Sequence, residues 1–169
     1  MSLESACSFI RPQLCAAMAG DADCVALLLD CKGVEVDHRD FAGRTALMLA
    51  AAGAHVGCVK VLLEAGAAPE ATDAKGWAAL HHAALSGSAQ CCGVLVEAGR
   101  FGADIAAGKS KLTPLHVAAS KGQVVAALAL IRLGASPVAK DAKDRTPVEV
   151  AAMAGHKVRC CGTQAQANT

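Results

Sequence analysis

Two histidines and two cysteines, His81-His82 and Cys91-Cys92, lie near one another and raise the question of a metal. Structural zinc takes ligands in C-x2–4-C or H-x3–5-H pairs, because adjacent residues point in different directions. Neither spacing occurs here, so no metal is expected. Gly108-Lys109-Ser110 looks like the end of a phosphate-binding loop. That loop needs a glycine about five positions ahead of its second glycine, for the curvature that cradles phosphate. Ala103 holds that place, Gly102 is one step too far, and no apolar strand precedes it. No serine or cysteine sits in a nucleophile signature. The chain therefore reads as a non-enzyme, with no catalytic residue, cofactor or small-molecule substrate.

The composition points the same way. The chain has 169 residues, one Trp, three Phe and no Tyr, and is rich in small aliphatic side chains. Such a core suits closely packed short helices and not a deep aromatic pocket. The nine cysteines are an odd number without a framework, and Cys91-Cys92 and Cys160-Cys161 are adjacent pairs. They read as small buried apolar residues in a reducing compartment. Lipidation of Cys160-Cys161 lacks a second membrane signal. The first residues show no basic-then-apolar leader, and no apolar run approaches a membrane span. The expected address is cytoplasmic, or nuclear by diffusion. Net charge is +1 but uneven. Residues 1–40 hold seven acids and three bases, while residues 105–169 hold nine bases and three acids. The basic residues come without an aromatic stacking platform, so nucleic acid is not the expected partner.

What positions these residues is a repeat. Residues 40–67, 73–99, 109–135 and 141–161 align on Thr45, Ala78, Thr113 and Thr146, at steps of 33, 35 and 33 residues. A weaker copy lies upstream, with Pro12 and Ala16-Ala17 in matching places. The longer step reflects the insertion Arg100-Phe101-Gly102, a loop or a second contact. Thr-Pro, as in Thr113-Pro114 and Thr146-Pro147, reads as an N-cap with proline at the first helical position. Paired alanines such as Ala50-Ala51 let a neighbouring helix approach. A second helix follows, with a branched stripe of Val59-Leu62-Leu63 in one copy and Val125-Leu128 in another. Gly66 and Gly134 suit a left-handed C-cap, and the Pro-, Asp- and Gly-rich segments beyond them suit a hairpin turn.

Thr113-Pro114-Leu115-His116-Val117-Ala118 matches the T-P-L-H-x-A signature of the ankyrin repeat, and the chain resembles that family over residues 11–160. The other copies depart from the signature, with Ala46 and Met48, Ala78 and Ala79, or Val148 and Glu149 in its places. The resemblance implies an all-α solenoid: a lead-in at 1–10, repeats at about 11–39, 40–72, 73–108, 109–140 and 141–161, and a flexible tail at 162–169. The last copy has a shortened second helix. The resemblance also implies that His81 and His116 hydrogen-bond the neighbouring turn.

It further implies a partner protein along a concave groove of hairpin tips and first helices. The tip residues are then Asp40, Phe41 and Arg44; Asp73, Lys75 and Trp77; Lys109, Lys111 and Leu112; and Asp141, Lys143 and Arg145. Leu85 and Lys121 face the groove from first helices, with Ala52, Ser86, Ser120 and Met153. Trp77 is either an exposed anchor shared with Phe41 or a packing residue on the neighbouring finger. The basic last fingers suit a partner with an acidic segment. The expected function is an adaptor, inhibitor or assembly factor. The alternative is a permanent structural subunit of a large assembly, suited to an apolar outer surface around Cys58, Cys91 and Cys92.

Overall fold

The computed structural model describes residues 12–31, 33–99 and 102–156. The lead-in, Phe101 of the insertion, the second helix of the last copy, Cys160-Cys161 and the tail all lie outside the described residues. Nine α-helices occur among those described: α1 Pro12–Ala19, α2 Ala22–Leu29, α3 Ala46–Ala52, α4 Val56–Glu64, α5 Ala79–Ser86, α6 Ala89–Ala98, α7 Pro114–Ser120, α8 Val124–Arg132 and α9 Pro147–Met153. A single 3-10 turn, Gly108–Ser110, lies in a finger. The first helices α1, α3, α5, α7 and α9 pack in one row, and the second helices α2, α4, α6 and α8 in another. This is the all-α repeat solenoid.

The first helices are short, and their alanines allow close packing. Ala50, Ala51, Ala83 and Ala84 are wholly buried. Their N-termini are closed in different ways. Thr45 Oγ1 accepts from Met48 N–H. Thr146 and Glu149 form a reciprocal capping box, in which Glu149 Oε2 accepts from Thr146 N–H at 2.7 Å. Thr113 departs from the expected cap, because its hydroxyl meets His116 Nδ1 at 2.9 Å instead.

The second helices bury a small residue and, one turn later, a leucine: Cys58 and Leu62, Cys91 and Leu95, Ala126 and Leu130. This corrects two expectations. The stripe of α8 is not Val125-Leu128, since both are exposed while Ala126 and Leu130 face the core. In a helix so apolar, the i, i+4 pattern alone cannot fix which stripe turns inward. Nor do Cys58, Cys91 and Cys92 form an outer surface: each is fully buried between helices, and burial pushes the Cys92 thiol up to about 12. Cys15, Cys24 and Cys31 of the first repeat are exposed.

Turns between the helices also tie one repeat to the next. The His55 ring lies where a Cβ on Gly20 would be, 2.4 Å from its Nδ1, and His55 Nε2 is 3.1 Å from Met18 O. Gln123 Nε2 donates to Leu85 O, and Ser86 Oγ to Ala51 O. On the opposite edge, fingers are joined through their backbones: Ala74 N–H donates to Ala42 O and Ala142 N–H to Ser110 O, both at 3.0 Å. Gly76, at φ +78, presses against the next finger so closely that a Cβ would stand 2.8 Å from Gly108 N.

Gly76→Ala is accordingly expected to lower stability by about 1–3 kcal/mol, from left-handed strain plus the clash with backbone. Urea unfolding followed by circular dichroism checks this. An unchanged midpoint would show that the two fingers are not held together.

Candidate partner-binding edge

Three of the fingers begin with the same motif; the one at Gly108–Ser110 does not. Asp40 N–H donates to Arg44 O, Asp73 N–H to Trp77 O and Asp141 N–H to Arg145 O, each at 2.9–3.0 Å. The carboxylate then fills the turn it opens. Asp40 Oδ1 accepts from Ala42 and Arg44 N–H, Asp73 Oδ1 from Lys75 and Trp77 N–H, and Asp141 Oδ1 from Lys143 and Arg145 N–H. The second oxygen has a side-chain partner. Arg44 reaches Asp40 Oδ2 through Nε and Nη2, both at 2.8 Å. Arg145 reaches Asp141 Oδ2 at 2.9 and 2.6 Å. In the third repeat the partner is His82, 3.1 Å from Asp73 Oδ2. Burial works against ionising these carboxyls, but the converging N–H donors outweigh it. All three are held below the usual range, Asp141 at about 2.

The tip residues therefore divide. Asp73 and Asp141 are buried, and Asp40, Arg44 and Arg145 are half-buried and engaged in their own turns. Phe41 is 96% exposed. Lys75, Lys109, Lys111 and Lys143 are exposed, as is Lys121 on the groove side. Lys111 holds a left-handed φ of +49. Leu112 and Leu85 are half-buried and contribute carbonyls: Leu112 O lies 2.9 Å from His81 Nε2, and Leu85 O accepts from Gln123.

Trp77 is half-buried and not a free anchor. Its ring stacks on His81 at 6.0 Å and meets the edge of His82 at 5.6 Å, with Lys75 Nζ 6.0 Å over its face. These contacts are within its own repeat, so the structure does not bring Trp77 and Phe41 together. The sequence held a signal for the division that was missed: Asp with Arg four residues later, in both 40–44 and 141–145. Arg39 was also missed. It is exposed at the same edge and donates to Thr72 O at 2.6 Å. A shallow apolar groove on the back, lined by Ala89, Gly93, Val125, Leu128 and Ala129, was signalled only by a glycine inside a helix.

The two signature histidines share one geometry. His81 Nδ1 accepts from Ala78 N–H at 3.2 Å, so its proton is on Nε2 and is donated to Leu112 O of the next finger. His116 Nδ1 accepts from Thr113 N–H at 3.3 Å, and Nε2 donates to Arg145 O at 2.9 Å. Both imidazoles are neutral in this arrangement, because a protonated Nδ1 could not accept. Burial pulls His81 down to about 4, and burial also lowers His82 against the pull of Asp73. Among the described residues, no three His, Cys, Asp or Glu side chains converge as a metal site would require.

Unfolded His81 takes up a proton near pH 6.5, whereas the folded residue resists until about 4. Stability is therefore complete above about pH 6.5 and falls as the pH drops towards 4, by about 3 kcal/mol in total. Trp77, the sole tryptophan, reports unfolding by fluorescence. A urea midpoint constant across that window would contradict the buried neutral imidazole.

Comparison with known proteins agrees with the geometry. A family model described as Ankyrin repeats (3 copies) matches residues 13–108, and one described as Ankyrin repeat matches residues 110–142. Ankyrin repeat and SOCS box protein 16 of Homo sapiens is 38% identical over 111 residues, which are 66% of this chain and 24% of that protein. ARF GTPase-activating protein GIT1 of Homo sapiens and of Rattus norvegicus is 50% identical over 44 residues, 26% of this chain and 6% of each relative. The chain thus spans a quarter or less of the length of these curated relatives. With helix pairs, fingers and histidine bridges in register with those matches, the chain belongs to the ankyrin-repeat family.

Proposed function

We propose that this chain is a protein-binding module, acting as an adaptor, inhibitor or assembly factor, and that its partner lies against the finger edge and the adjoining groove. Ankyrin repeats are in general protein–protein interaction modules, and the chain consists largely of them. The observation that carries the finer reading is the inward turn of Asp40, Asp73 and Asp141. With their oxygens taken up by the turns, the charges left at the edge are mainly cationic, Arg39, Lys75, Lys109, Lys111 and Lys143, against the exposed Asp144. An acidic segment of a partner fits that edge, and electrostatic complementarity would speed its arrival. Phe41 supplies an exposed aromatic beside the cations. The alternative of a permanent structural subunit loses its sequence argument, since Cys58, Cys91 and Cys92 are buried. No described helix is long and apolar enough to cross a membrane, and a cytoplasmic setting suits the proposal.

The structure also decides which cations can be tested. Arg145 is built into its turn, so reversing it would damage the finger. Lys109, Lys111 and Lys143 are exposed and can be changed to Glu together. Affinity capture should then lose acidic partners retained by the parent chain, with affinity at least about tenfold weaker and reduced sensitivity to salt. Circular dichroism should stay the same. Capture of the same proteins with the same salt dependence would refute the acidic-segment reading. A parallel loss on Phe41→Ala would place the aromatic within the contact.

A further inference from the structure

The cations of the finger edge are regular in place as well as in sign. Three fingers open on equivalent bonds, from Asp73 N–H to Trp77 O, from Ala107 N–H to Leu112 O and from Asp141 N–H to Arg145 O. Two places after each opening residue stands a lysine: Lys75, Lys109 and Lys143. All three are exposed. Lys75 N–H and Lys143 N–H are each held by the turn aspartate at 2.8 Å, which fixes the backbone that carries those side chains. The finger before them has Ala42 in this place, with the exposed Phe41 beside it. The edge thus presents one cation per finger, in a row of three that ends towards an aromatic.

That row has a set pitch. Gly76 lies against Gly108, and Ala142 N–H donates to Ser110 O at 3.0 Å, so each of these fingers is held on the next. His81 and His116 tie first helices to the fingers that follow. The fingers therefore repeat with the first helices, and packed helices lie about 8–10 Å apart. A ligand that meets all three lysines must offer an acid at that pitch, on one side. A β-strand does not: residues two apart advance only about 7 Å, and residues three apart point to opposite faces. A polyproline II segment does, because every third residue faces the same way, about 9 Å further on. It spans the row in about seven residues. An α-helix reaches that pitch only at every seventh residue, and so must order about twice as many.

The acids of the same fingers are engaged elsewhere. Asp40 pairs with Arg44, Asp73 with His82 and Asp141 with Arg145, and the exposed Asp144 lies 3.9 Å from Lys140. Lys75 Nζ stands 6.0 Å over the Trp77 ring, a contact that leaves its N–H donors open to a carboxylate. We infer that the partner presents an extended acidic segment of polyproline II form, with a carboxylate at every third residue, seated on Lys75, Lys109 and Lys143. This rests on the acidic-segment reading of the finger edge and adds the spacing and shape of that segment.

A peptide that repeats Glu-Pro-Pro over about fifteen residues holds this spacing rigidly. Its control has the same composition with the glutamates contiguous. Titrated into the full chain at low salt, the repeat peptide should bind saturably and at least about fivefold tighter than the control. Trp77 fluorescence reports its arrival beside Lys75, and calorimetry measures the variants. Lys75→Gln, Lys109→Gln and Lys143→Gln should each weaken the repeat peptide by about two- to fivefold. Lys121→Gln, exposed but off the row, should leave it unchanged. Circular dichroism checks that the variants fold. Equal binding of the two peptides, or a loss confined to one lysine of the row, would overturn the spacing and leave the acidic-segment reading standing. Binding of neither peptide would overturn both. Tighter binding of single-stranded DNA than of the repeat peptide would overturn the choice of a protein segment.

Discussion

An imidazole spans the distance between one repeat and the next, and much of the finger edge depends on it. In the third and fourth repeats the histidine closes the start of its own first helix with one nitrogen and holds the next finger's carbonyl with the other. One ring thereby satisfies groups that helix geometry leaves without partners and fixes the position of the following hairpin. The link requires a neutral ring, and burial keeps His81 neutral. The second repeat has Met48 in this place, fully buried. There the fingers are joined by the backbone bond from Ala74 N–H to Ala42 O and by the Arg39 bond to Thr72. Different side chains thus reach one spacing.

Within that spacing the carboxylates work as part of the backbone. Each of Asp40, Asp73 and Asp141 folds over its own turn, and Arg44, His82 or Arg145 satisfies what remains. Such residues look like contact residues in sequence, being charged and at loop tips. Their role is to hold a tight turn rigid, so that the lysines beside them are presented on a fixed frame. The pre-organisation matters for recognition, because a frame already ordered costs less to bind.

The solenoid was legible in the sequence because its signal is redundant: several copies in phase, with glycines at matching places. Single residues were less so. Thr113-Pro114 marked a helix start correctly, but the hydroxyl's partner depends on His116, and no pattern states that preference. The stripe of α8 was misplaced because nearly every residue of that helix is apolar, and only the packing of α6 and α7 against it selects Ala126 and Leu130. Trp77 was ambiguous for a similar reason. Its slot follows the turn glycine, and the neighbouring pair His81-His82, distinctive of this repeat, draws the ring down. Specific side-chain partners decided these cases, near in sequence for Thr113 and Trp77 and distant for α8.

The described cysteines are sorted by repeat, and this gives their thiols a direction of chemical ageing. Cys15, Cys24 and Cys31 lie open on the first repeat, while Cys58, Cys91 and Cys92 are sealed between helices with their thiols pushed away from the reactive thiolate. Among the described cysteines, those of the first repeat meet an oxidant before any other. The inner sulfurs become reachable only when neighbouring repeats part, so their modification would record past opening of the stack and not present exposure.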